Sequence, residues 1–187
     1  VVYLAVGCRF LIGVVFAVAA VNKLSGRRRF NAFVWSLRRM EVVPEGLVRP
    51  AALVSAAAEV VIVLLLAVPA NVPGMAGFAV AAGLLTAFTV GIAMSLKRGN
   101  KEPCACFGRS ETPLGAGHVV RNLLLIAVTL LGLAASAAGG HAELGEAAIG
   151  ALAGLVLGAL VTAFDDIVAL FRPTSAPASP RGAGPKR

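Results

Sequence analysis

Apolar residues run through this chain in windows of roughly 20, the length an α-helix needs to cross a bilayer at its 1.5 Å rise per residue. The first such window is predicted at about 1–21, where Asn22, Lys23 and the turn from Gly26 to Arg29 supply a polar stop at the water boundary. From about 27 to 43 the pattern changes. Phe30, Phe33, Val34 and Leu37 recur at helical spacing, with Arg28, Arg38 and Arg39 largely elsewhere on the wheel. That is the signature of an amphipathic helix lying in the membrane interface, with Trp35 and the arginines at headgroup level.

Pro44 interrupts this helix, and Pro50 suits the first turn of a second span at about 50–68. Pro69, Asn71, Pro73 and Gly74 make the next turn, leading to a third span at about 72–96 that ends at Lys97. The polar stretch KRGNKEPCACFGRSETP follows, with Thr112 and Pro113 marking entry to a fourth span at about 115–138. After Gly139 and Gly140 a fifth span is expected at about 144–171, where Gly150, Gly154 and Gly158 recur every four positions and line one face for close helix packing. The tail, 172–187, is built of Pro, Ser, Ala, Gly and cations and is expected to be disordered. The chain therefore reads as all-α, a polytopic transmembrane bundle of about five helices occupying 1–171, with no room for a separate soluble domain.

Composition agrees, because only 14% of residues are charged where soluble domains carry about a quarter. The net charge of +8 does not imply nucleic acid, since the cations flank apolar spans and no aromatic-rich basic surface accompanies them. The first span has neither a basic leader nor a convincing cleavage site and is read as a retained helix. Lysine and arginine fall on one side only: Lys23, Arg27, Arg28, Arg29, Arg38, Arg39 and Arg49 after span one, Lys97, Arg98, Lys101 and Arg109 after span three, and Arg172 with the tail after span five. In a plasma membrane this puts the amino terminus outside, the carboxyl terminus inside and the polar stretch at the cytoplasm.

The chemistry concentrates in that stretch. Cys104 and Cys106 are separated by one residue, so an extended backbone sets their Cα atoms roughly 6–7 Å apart, the upper edge of disulfide reach. A bridge there is strained and labile, suited to exchange rather than to holding the fold. Lys97, Arg98, Lys101 and Arg109 surround the pair in sequence and favour a thiolate, and His118, Arg121 and Asn122 share one face of the next helix. Three readings of these residues stand side by side: thiol-disulfide exchange with His118 and Arg121 tuning the cysteines, a soft-metal site formed by Cys104, Cys106 and His118, or thiols without a role beside a headgroup anchor. Cys8, within the first span, reads as a small core residue, with a third redox partner as the alternative. Glu59, in the middle of the second span, is costly in lipid unless protonated, paired or wetted, and Lys23 and Arg121 are its candidate partners.

These elements together resemble the methylamine utilisation protein MauE family, within the wider DoxX-like group of small membrane proteins. The resemblance rests on NKL at Asn22 to Leu24, Glu59 inside the second span, PCACFG at Pro103 to Gly108 and HVVRN at His118 to Asn122. The first of these stands where the family more often has GKL. The resemblance implies a redox-associated membrane protein that works with a periplasmic thioredoxin-like partner in making or maturing disulfides. In the namesake role the protein matured is methylamine dehydrogenase. Cys104 and Cys106 would then exchange with the partner's dithiol. The order of helices and cysteine loop is also similar to the vitamin K epoxide reductase bundle, which implies a four-helix core and quinone as electron acceptor. A periplasmic partner needs the cysteine loop outside, whereas the cation count puts it inside, and the sequence leaves that conflict open. A metal- or small-solute-binding membrane protein and a non-catalytic assembly factor are the other function classes compatible with the same residues.

Overall fold

The computed structural model describes residues 2–99, 116–140 and 143–170. The described chain is helical throughout: α1 (Val2–Leu24), α2 (Arg27–Arg39), a 3-10 turn at Glu45–Leu47, α3 (Val48–Ala67), α4 (Asn71–Lys97), α5 (Ala116–Ala137) and α6 (Leu144–Leu170). All except α2 and the short turn are long and apolar enough to cross a membrane, giving five candidate spans. Their number is the five expected, and the helix ends differ by a few residues from the expected bounds. Cys104, Cys106 and the tail from 172 on lie outside the described residues.

Two boundary shifts have physical consequences. The first helix does not stop at Asn22 but continues to Leu24. Lys23, read as a water-boundary residue, is 2% exposed and faces the protein interior. The amphipathic helix ends at Arg39 rather than near Val43, and Glu41 leaves it in a left-handed conformation (φ 53°). Helix termination therefore precedes Pro44, consistent with the bias of pre-proline residues away from helical geometry. Arg98 at the end of α4 donates from Nη1 to the Glu41 carbonyl at 2.5 Å, tying this connection to the fourth helix.

Packing contacts join α1 to α3, α3 to α4, α4 to α5 and α5 back to α1, which closes a four-helix ring. Its centre is filled by Ile12, Val15 and Phe16 of α1, Ile62 and Leu66 of α3, Phe78 and Leu85 of α4, and Leu125 of α5. Cys8 belongs to this cluster as a small, buried, free thiol. Outward from the ring stand Val54, Leu64, Leu123, Leu124 and Leu131, all exposed, as expected where lipid rather than water is the solvent.

The sixth helix packs along α1, and its glycine face makes that contact. A Cβ on Gly150 would lie 2.5 Å from the Tyr3 carbonyl oxygen, and one on Gly158 would lie 3.0 Å from that of Leu11. Gly154 abuts the Gly7 carbonyl between them. Partners advance by four residues on both helices, so α1 and α6 run parallel and approach backbone to backbone. Apolar burial supplies little drive inside lipid, and such close van der Waals contact is what remains to hold the pair.

Candidate functional site

Cβ atoms tilt toward the amino end of their helix, so a long side chain in the last turn of α1 points back into the bundle. Lys23 occupies that position, and its Nζ donates a hydrogen bond to Oε1 of Glu59 on α3 in a fully buried ion pair. Glu59 follows Val48 by 11 residues, placing it roughly 16 Å along the 20-residue α3, near the middle of the span. Such depth makes an isolated charge expensive, and pairing is the condition under which it is tolerated.

Two aromatic rings complete the enclosure. The Lys23 ammonium lies 4.5 Å from the ring centroid of Phe33 and 5.6 Å from that of Phe88. Phe33 comes from α2 and is 1% exposed, so α2 presses its apolar face onto the ion pair. Met40, with Leu37, continues that face against Ile92 and Phe88 of α4 and Val119 of α5. The opposite face of α2 carries Trp35, exposed, with the Arg39 guanidinium 4.3 Å from its ring centroid. The helix expected from its pattern to lie in the interface covers the buried pair.

Of the polar face predicted on α5, Asn122 is fully buried, while His118 and Arg121 are partly buried. Both amide atoms of Asn122, Oγ of Ser55 and Ser95, and Oε2 of Glu59 are buried with no protein partner among the described residues. Buried polar atoms in native proteins are nearly always satisfied, so these have capacity for water or a polar ligand. Thr129 and Ser136, further along α5, donate to the carbonyls of Leu125 and Gly132, four residues back in their own helix. Unsatisfied groups therefore gather toward the end of the bundle where α1 and α4 finish and α3 and α5 begin.

Of the residues named from sequence, Lys23 and Glu59 come together, and Arg121 is not Glu59's ion-pair partner. Cys104 and Cys106 lie outside the described residues, in the segment between Lys97 and Ala116. Among the described residues no three His, Cys, Asp or Glu side chains gather as a metal site.

Arg9 is a site the span reading passed over. Its guanidinium donates from Nη1 to the Val68 carbonyl and from Nη2 to the Ala70 carbonyl, both at 3.0 Å, at the turn joining α3 to α4. Carbonyls at a helix end have no partner within the helix, and a charged fork satisfies two of them. Gly74 permits it, because a Cβ there would collide with the guanidinium. The available signal was a lone arginine inside an otherwise apolar window.

The family model of methylamine utilisation protein MauE matches residues 1–135, which include the ion pair and the polar face of α5. Methylamine utilization protein MauE of Paracoccus denitrificans is 32% identical over 149 residues, covering 78% of this chain and 77% of that protein. No solved structure matches. With the family model spanning most of the bundle and a relative aligned over more than three quarters of both chains, the protein belongs to the methylamine utilisation protein MauE family.

Proposed function

We propose that this multi-pass membrane protein serves methylamine utilisation as a thiol-disulfide relay in the plasma membrane, with Cys104 and Cys106 as the exchanging pair and a thioredoxin-like protein as partner. The supporting observation is connectivity. The cysteine segment leaves α4 at Lys97 and Arg98 and re-enters at α5, whose first turns carry His118, Arg121 and the buried Asn122. It is thus tethered to the end of the bundle that holds the buried pair and the unsatisfied polar atoms. Cations at a thiol favour the thiolate, the form that attacks a disulfide.

In each exchange a thiolate of the reduced pair attacks one sulfur of the partner's disulfide. The partner's S–S bond breaks, a mixed disulfide forms, and the departing sulfur leaves as a thiolate that takes up a proton. The second cysteine then displaces the partner, so two electrons pass to it and this chain becomes the disulfide. The reverse sequence runs the electrons the other way. Neither direction of the exchange is routed through a quinone.

Trapping tests the reading. Cys106→Ser should accumulate a mixed disulfide through Cys104, or Cys104→Ser through Cys106, resolvable on non-reducing gels and identified by mass spectrometry. Absence of any adduct from either variant, with full function retained in the double variant, would leave an assembly factor in place of the relay. A membrane-impermeant maleimide applied to intact cells reads sidedness. Labelling supports a periplasmic partner, while protection supports the orientation that the arginines of α2 and α3 favour.

A further inference from the structure

A cavity of about 1150 Å³ opens where the end of α1, the start of α2 and the first two thirds of α3 meet. Its walls have a polarity gradient. Arg27 and Arg49 stand at the mouth, and the apolar depth is formed by Leu53, Ala57 and Val61, which continue from Arg49 at intervals of four residues. Residues so spaced share one helix face, so the stripe descends α3 for about 18 Å from a cation toward mid-membrane. Leu53 is 55% exposed and Val61 45%, which means the depression opens sideways to lipid. The small side chain of Ala57 leaves it hollow.

Among the described residues no carboxylate lines the cavity, since Glu59 points from α3 into the bundle toward Lys23. Among the described residues neither Arg27 nor Arg49 enters an ion pair. Two guanidinium groups at headgroup depth above a chain-length apolar channel complement one kind of molecule, an amphiphile with an anionic head and a hydrocarbon tail.

We propose that this groove binds one anionic glycerophospholipid, its phosphate held by Arg27 and Arg49 and one acyl chain along Leu53, Ala57 and Val61. This site is separate from the thiol chemistry. It would seat the lipid against α2 and so brace the helix whose Phe33 covers the ion pair.

Native mass spectrometry of the full chain, from micelles containing equal amounts of dioleoyl phosphatidylglycerol and dioleoyl phosphatidylcholine, reads the selectivity. A cation at the headgroup level is worth about fivefold in affinity, so two give at most roughly 25-fold. A retained phosphatidylglycerol favoured about fivefold or more is expected. The Arg27→Gln/Arg49→Gln variant should bring that preference below about twofold, while Arg38→Gln/Arg39→Gln leaves it in place. Ala57→Leu should reduce retention of both lipids by filling the channel. Equal retention of the two lipids by the unaltered protein overturns the proposal, as does an equal loss of preference in the Arg38/Arg39 variant, which marks general basicity. Displacement of the lipid by millimolar glycerol 3-phosphate would reassign the site to a free phosphate and also overturn it.

Discussion

Removing Lys23 should damage this protein more than removing Glu59, although each breaks the same ion pair. The Glu59 carboxylate sits mid-helix with Oε2 already lacking a protein partner, so Lys23→Met strands it in a closed, low-dielectric site. Breaking a buried pair by deleting one partner costs about 3–5 kcal/mol, and Lys23→Met should fall in that range. With Glu59→Gln the ammonium keeps the rings of Phe33 and Phe88, a contact worth about 0.5–2 kcal/mol when desolvated. Lys23 also lies one residue from the end of α1, where a flexible stem can carry the charge outward. The cost should accordingly be smaller, about 2–3 kcal/mol. Lys23→Met combined with Glu59→Gln should recover part of the loss, giving a coupling energy of about 2 kcal/mol or more. Denaturation in mixed micelles, followed by far-UV circular dichroism and by the single Trp35 on α2, separates global loss from release of the cover helix. Two single variants each costing under about 1 kcal/mol, with coupling near zero, would refute the reasoning, because no interior charge pair could then be at stake.

Phe33→Ala uncovers the pair and leaves a void, and a loss of about 3–5 kcal/mol with a change in Trp35 emission is expected in the same titration. Arg9→Ala removes two charged hydrogen bonds at the α3–α4 turn, costing about 2 kcal/mol in total after partial replacement by water; hydrogen exchange at residues 67–74 should rise. Arg9→Lys should restore little of this, since one ammonium does not reproduce a fork that spans two carbonyls. Gly154→Leu should separate α6 from α1 and abolish a disulfide engineered between neighbouring positions on the two helices, while α1 to α5 retain their thermal transition.

The spans were legible because lipid imposes a length and an apolarity that a sequence displays directly, and the glycine repeat on α6 was legible because its period matches the helix. Burial of Lys23 was half legible, because the same residue reads both as the polar stop of the first span and as a candidate partner for Glu59. Its partner is 36 residues away on another helix, and a lysine at the end of an apolar span looks the same whether it meets water or turns back to a carboxylate. Arg9 was missed for the related reason that its acceptors are carbonyls, which leave no mark in a sequence. Glu59 could be flagged as needing a partner, with Lys23 among the two named, but choosing between Lys23 and Arg121 required knowing which helices adjoin. The shared face of His118, Arg121 and Asn122 was readable from spacing, whereas the full burial of Asn122 alone depends on how α5 is rotated against α1 and α4.

The two ends of the bundle differ in a way that helix packing does not require. Toward the end marked by Arg9 the ring is filled by Cys8, Phe78 and Gly132 in direct contact, and the hydroxyl of Ser136 is satisfied within its own helix. Toward the other end, Ser55, Ser95, Glu59 and Asn122 keep buried polar atoms that apolar residues of similar size would have avoided. Each such group costs about 1–3 kcal/mol where nothing answers it, so each calls for water or another polar partner at this end. That end also receives both ends of the cysteine segment, at Lys97 and Ala116, and lies beneath α2, which among the described α-helices is the one too short and polar to be a candidate span. Stability alone would have made the bundle alike at both ends. Among the described residues the buried polar groups and the covered charge pair are thus confined to one end of the bundle, and the ring toward the other end is filled by close apolar packing.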